Sequence, residues 1–243
     1  MMENFFTNII KHSAIEKILP FLNLFMMILF LLSAFIIAPT EIVEGEVQRI
    51  FYFHLPTALA SYMCFGLTFL FSILYLWKKK IIYNHWGKAS ALIGVFFTII
   101  CLWSGMAWGK PTWGVWWTWD ARLTSTLILL LLYIGYLLVQ SLEHSSEGRT
   151  NRIAAFIGII AFMDIPIINM SVRWWRTLHP QPIVLAPISE NRLPTEMLVV
   201  LIISTIAILL LAIWLIIMNV RILKNEHTIK QILSQSFNKG EKY

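Results

Sequence analysis

Charge is scarce in this chain. Lys, Arg, Asp and Glu make up 13% of the 243 residues, while 58% are hydrophobic and the mean hydropathy is +0.71. That balance excludes a soluble domain with a polar surface, and most of the chain has to lie in a bilayer. Also missing is any G-x-x-x-x-G-K-[ST] loop, so nucleotide energy, where it is used, has to come from a partner. Only two cysteines are present, Cys64 and Cys101; both fall inside apolar runs and read as small buried side chains. There is no internal repeat and no low-complexity tract. The net charge of +6 would suggest nucleic acid in a soluble protein, but the cations here gather in short loops and the tail, where membrane topology accounts for them.

What fills the chain is a series of six apolar runs, which predicts an all-α membrane protein with six transmembrane helices in a single polytopic domain, residues 1–243. The spans are expected at about residues 21–38, 55–77, 89–107, 123–142, 153–170 and 196–218. The first has no small-residue cleavage pattern behind it and reads as a retained signal anchor. Residues 39–53, with Glu41, Glu44 and Glu46, are expected outside the bilayer. FHLPTALASY then opens the second span, with Pro56 in a first turn that tolerates it and His54 at the helix mouth. Pro166 is expected to bend the end of the fifth span. Residues 171–193, with RWWRTLHPQP and Pro180, Pro182 and Pro187, read as an extended external loop, and residues 219–243 as a basic tail.

Counting Lys and Arg on alternate sides gives the orientation. The N-terminus, the second and fourth loops and the tail hold thirteen, and the first, third and fifth loops hold six. The positive-inside rule then puts both termini in the cytoplasm and the loop between spans three and four outside.

That external loop, residues 108–122, reads WGKPTWGVWWTWDAR and holds five of the eleven tryptophans. Were Trp113 to Asp120 a short helix, Trp113, Trp116, Trp117 and Asp120 would share one face and form a broad indole shelf, suited to a flat, apolar, partly charged ligand. The competing account is an interfacial belt with Asp120 as the N-cap of the fourth span and Arg122 snorkelling. Belts supply one or two rings per helix end, and five in one loop exceeds that. The same orientation leaves His54 and His179 as the two external histidines, with His12, His85, His144 and His227 inside. Two imidazoles on opposite faces of an iron porphyrin would complete its coordination. Lys110, Arg122, Arg173 and Arg176 are external cations that either pair with propionates or set topology. Asp164 is an ionisable group within the fifth span, near Pro166, and reads best as a satisfied polar kink.

The run WGKPTWGVWWTWDARLT resembles the tryptophan-rich WWD signature of heme-handling proteins in cytochrome c maturation. With the His-Leu-Pro mouth of the second span, the SVRWWRTLHP segment and six spans, residues 20–218 resemble the heme exporter protein C family. The resemblance implies binding of heme b, with His54 and His179 as axial iron ligands and Trp113, Trp116, Trp117, Trp119, Asp120 and Arg122 forming the rest of the site. It implies a delivery role in place of catalysis: heme presented at the periplasmic face of a bacterial inner membrane and passed to a membrane-anchored chaperone, CcmE. The other implied partners are the small membrane protein CcmD and the ATP-binding cassette subunits CcmA and CcmB. No CxxCH motif is present, so covalent c-type attachment by the usual motif is not expected. The alternative is a bundle that conducts heme across the membrane, whose path would need lining cations that these spans almost entirely lack.

The topology makes a direct prediction. Reporter fusions at Glu147 and Glu190 should report opposite sides of the membrane; reports from the same side would contradict the six-span reading.

Overall fold

In a computed structural model that describes residues 13–142, 147–175, 177–179 and 193–240, the chain is helical, and no strand occurs among the described residues. Helix α1 (Ser13–Leu32) passes into a wider π-type turn, Ser33–Ile37. A 3-10 turn, Glu46–Ile50, leads into α2 (Phe51–Lys78), followed by α3 (Ile81–Trp113), α4 (Ala121–Ser141), α5 (Glu147–Phe162), α6 (Asp164–Trp174) and α7 (Thr195–Gly240). With α5 and α6 taken together as one broken span, six segments among the described residues are long and apolar enough to cross a membrane. The protein is a multi-pass membrane protein.

Several helices run further than their apolar stretches. The second span does not open at Leu55: helix begins at Phe51, so Pro56 sits in the second turn and His54 lies within the first. Pro56 has no N–H to offer the Tyr52 carbonyl. The basic tail is not a separate segment either, because α7 continues to Gly240. No Gly or Pro lies between Thr195 and Lys239 to stop it. Residues 180–192, with Pro180, Pro182, Pro187 and Arg192, lie outside the described residues, as do Arg176, His12 and His144.

The α2–α3 hairpin is the spine of the bundle. Lys79, at φ 55°, closes α2 by donating its N–H to the Tyr75 carbonyl at 2.7 Å, and only Lys79 and Lys80 separate the two helices. Small residues let the backbones approach, as apolar surface alone gives helices in lipid no reason to pair. A Cβ on Gly94 would run into the Phe65 ring and come 3.1 Å from the Cys64 Cβ. The Phe65 ring is in turn stacked on Tyr133 of α4, 3.7 Å between centroids. Some polar groups in the spans pair across helices, where no water is at hand to satisfy them. Thr68 donates to the Gly87 carbonyl at 3.3 Å, and Asn84 and Gln140 exchange amide hydrogen bonds of 3.3 and 2.7 Å between α3 and α4. Helix α7 packs along α1, α2 and α3 and completes the larger core.

The fifth span is broken at Met163, between α5 and α6, where the Met163 N–H turns back to the Ile160 carbonyl at 3.0 Å. Pro166 accounts for the break: it cannot donate to the carbonyl of Phe162, and its ring clashes there. Asp164 begins α6, and its Oδ2 is buried without a hydrogen-bond partner. The polar kink is present, but it is not a satisfied one.

Candidate functional site

One end of the α2–α3 hairpin carries the site. His54, in the first turn of α2, lies against α3 where Cys101, Ser104, Gly105 and Trp108 share a face at helical spacing. Its Nδ1 is 3.1 Å from the Cys101 carbonyl oxygen and 3.2 Å from the Ser104 hydroxyl. A carbonyl can only accept, so Nδ1 carries the proton and Nε2 keeps its lone pair. Gly105 makes the approach possible, since a Cβ there would stand 3.0 Å from the imidazole Cε1. Trp108 meets the imidazole edge to face at 5.9 Å and is itself held by an indole N–H donated to Glu44 at 3.1 Å. The 39–50 segment is thereby tied to the site.

The expected tryptophan shelf is not built as a helix. Gly114, at φ 80°, ends α3, its N–H bonded to the Lys110 carbonyl at 3.0 Å, and residues 115–120 run without helix to Asp120. Trp113, Trp116, Trp117 and Asp120 therefore share no helical face; only glycine takes that left-handed backbone freely, and the helix stops there. Trp113, the last residue of α3, folds its ring over Gly109. Trp117 is half-buried and meets Trp119 edge to face at 5.7 Å. Trp116 and Trp119 are 59% and 78% exposed, so large apolar rings are left open on this end of the protein. The Lys110 ammonium donates to the Gly114 carbonyl at 2.8 Å and caps α3.

Asp120 joins two separate stretches of chain. Its Oδ1 accepts the Arg122 N–H at 2.9 Å and caps α4; its Oδ2 accepts the Leu178 N–H at 3.0 Å. Thr177 adds a side-chain hydrogen bond to the same carboxylate, and its Oγ1 also accepts the His179 N–H at 3.0 Å. The 177–179 segment is thus clasped to the start of α4. This clasp brings His179 within 6.4 Å of His54, ring centroid to centroid, at an interplanar angle of 36°. An open depression of about 310 Å³ beside the clasp is lined by Thr118, Trp119, Asp120, Thr177 and Leu178.

The Arg122 charge acts on both Tyr62 and His54, which places it near the pair at the start of α4. Trp174 and Trp175, at the end of α6, are 61% and 53% exposed and meet each other edge to face at 5.8 Å. Sequence reasoning missed Ser104, Gly105, Glu44 and Thr177. The first two were within reach, because residues 101, 104, 105 and 108 recur at helical spacing; Glu44 and Thr177 act through loop paths that leave no periodic trace.

Burial raises the Asp120 pKa, but the bonds from Thr177, the Arg122 and Leu178 N–H groups and the nearby His179 outweigh it, and the net displacement is downward. A depressed carboxylate stabilises the fold above its unfolded pKa, about 4, and loses that contribution as pH falls through the lower folded value. Asp120→Ala should lower stability at pH 7 by about 0.5–2 kcal/mol, the usual loss for an N-cap. Thermal unfolding in detergent should show the gap from wild type narrowing below about pH 4. An equal gap at pH 7 and pH 3 would contradict the clasp.

Against known proteins, a family model described as heme exporter protein C matches residues 3–233. Heme exporter protein C of Escherichia coli K12 is 43% identical over 145 residues, covering 58% of this chain and 58% of that protein. Its counterpart in Bradyrhizobium diazoefficiens is 35% identical over 198 residues, 80% of this chain and 74% of the relative. A cytochrome c biosynthesis ccmC-like mitochondrial protein of Marchantia polymorpha is 41% identical over 143 residues, 59% of this chain and 60% of the relative. The chain thus spans about three fifths of the length of the Escherichia and Marchantia relatives.

Proposed function

Because the chain belongs to the heme exporter protein C family, we propose that it handles heme for cytochrome c maturation. It holds heme b between His54 and His179 and passes it to a membrane-anchored chaperone. The observation that carries this reading is the closeness of the two imidazoles, 6.4 Å between ring centroids. A metal ion held by one nitrogen of each ring would need bonds of about 2.0 Å, and with each ring centre roughly 1.1 Å beyond its nitrogen the two centres would stand about 6.2 Å apart. The pair stands close to that separation, and histidine is a ligand of heme iron, so the two side chains would hold the iron between them.

Each neighbouring group has a task in this reading. The Cys101 carbonyl and Ser104 fix the His54 tautomer so that Nε2 faces the ligand, as outer partners of metal-binding histidines do. Asp120 and Thr177 position His179. Trp116 and Trp119, and with them Trp113 and Trp117, offer indole surface to the macrocycle, each stacked ring adding about 0.5–1.5 kcal/mol beyond area burial. Arg122 maintains positive potential under the site, and Lys110 and Arg173 lie at the same end of the bundle for the propionates. The site faces the periplasm in a bacterial inner membrane, and the chain works with the chaperone CcmE, with CcmD and with the ABC subunits CcmA and CcmB.

Release follows from the same chemistry. Two histidine bonds and several aromatic contacts make spontaneous loss slow, and the chain has no nucleotide loop of its own to drive it. The acceptor therefore has to compete for the ligand at the exposed tryptophans. Purified protein loaded with heme in detergent should lose it slowly to apo-myoglobin, a passive trap, and much faster to the chaperone, with the fast transfer reduced in Trp119→Ala. Equal rates to both acceptors, or heme passage across proteoliposomes holding this chain alone, would contradict delivery and favour a conducting bundle.

A further inference from the structure

The turn that follows the first span has its side chains arranged the wrong way round for water. Residues Glu41 to Gly45 close through the Gly45 N–H, donated to the Glu41 carbonyl at 3.0 Å, with Gly45 at φ 62°. The Glu41 carboxylate folds back and accepts the N–H groups of Val43, at 2.7 Å, and of Glu44. Glu44 accepts the Trp108 indole N–H, and Glu46 accepts the Thr40 hydroxyl at 2.7 Å and pairs with Arg49. The three acids of this segment are thus engaged in bonds within the protein, while the tip is left to Ile42 and Val43, 98% and 89% exposed.

Neither side chain serves the turn itself. Tight turns favour Gly, Asn, Asp and Ser, whose backbones or side chains suit the bend. Two adjacent β-branched aliphatic side chains held at full exposure are unfavourable in water, and they mark a surface that something apolar covers. The lipid leaflet at this end of the bundle is the occupant the structure favours, because the tip continues a face that lipid already covers. Phe35, Ile36 and Ile37 are exposed at the end of the first span, and Ile42 comes five residues after Ile37. The segment is also held down against that end. The Arg49 guanidinium donates to the carbonyls of Ala34 and Ala38, the latter at 3.1 Å, which folds residues 46–50 back onto the turn that finishes the span.

We propose that the Glu41–Gly45 turn is an interfacial anchor, with Ile42 and Val43 inserted at the boundary between head groups and acyl chains. Its partner is the lipid surface, entered by burial of apolar area. Through Glu44 and Trp108 the anchor ties the wall of the His54 site to the bilayer. The inference is independent of what that site binds, since it uses only the multi-pass bundle and the turn.

The test places a nitroxide label on Ile42→Cys, Val43→Cys, Phe35→Cys and Gln231→Cys in turn, in the full chain reconstituted into phosphatidylcholine vesicles. The wild type, treated alike, supplies the background from Cys64 and Cys101. Collisions of each label with oxygen, which concentrates in lipid, are compared with those of a water-soluble nickel chelate. Phe35→Cys gives the lipid reference, and Gln231→Cys, exposed on α7 beyond its apolar stretch, gives the aqueous one. The anchor predicts an oxygen-to-nickel ratio for the Ile42 and Val43 labels at least about threefold above that of the Gln231 label. Because the nitroxide is itself apolar, the Val43 label is measured again beside Ile42→Asp, which should bring its ratio down toward the aqueous value. Ratios equal to that of the Gln231 label would overturn the anchor, and so would a Val43 ratio unchanged by Ile42→Asp. A tip that becomes covered only when the heme acceptor is added would overturn it as well, and would assign the two side chains to a protein interface.

Discussion

Asp120 divides its two carboxylate oxygens between two parts of the chain, one capping α4 at Arg122 and the other receiving the Leu178 N–H. Those residues are 58 positions apart in sequence, and the carboxylate brings them to one point. Charge-assisted bonds to backbone N–H groups are among the stronger hydrogen bonds. A partly buried carboxylate with such bonds stays ionised, which keeps it an acceptor for both. His179 has its place beside His54 because of this junction. Asp120 is both a helix cap and the anchor of the 177–179 segment beside His54, so the two accounts of the residue do not compete.

The rest of the bundle places the other half of the pair. Small residues along α2 and α3 bring those helices close enough for His54 to reach the Cys101 carbonyl, and Gly105 leaves room for the ring. The carbonyl then decides which nitrogen holds the proton. Near the pair, the Arg122 charge acts on both Tyr62 and His54. Such groups are kept in lipid when they pair or serve a function.

The six apolar segments, His54 and His179 as a pair and the tryptophan-rich stretch were legible in the sequence because apolar length and residue type carry them. What was not legible followed from backbone details. Gly114 takes a left-handed conformation and ends α3 after Trp113, so the shelf expected over residues 113–120 is an irregular stretch with two exposed indoles. Periodicity cannot show where a glycine will stop a helix, only that it is able to. The extension of α2 back to Phe51 was hidden because His54 and Pro56 read as a helix mouth, and that of α7 because hydropathy ends at the membrane surface while helix propensity does not.

The central claim is that His54 and His179 are brought together to bind one iron from opposite faces. It is tested most directly by loading ferric heme into the wild type and into His54→Gly and His179→Gly variants, then adding imidazole while recording visible spectra. The account predicts a six-coordinate bis-histidine spectrum in the wild type, loss of that spectrum in either variant, and its recovery with imidazole in each. Unchanged spectra in both variants would contradict it.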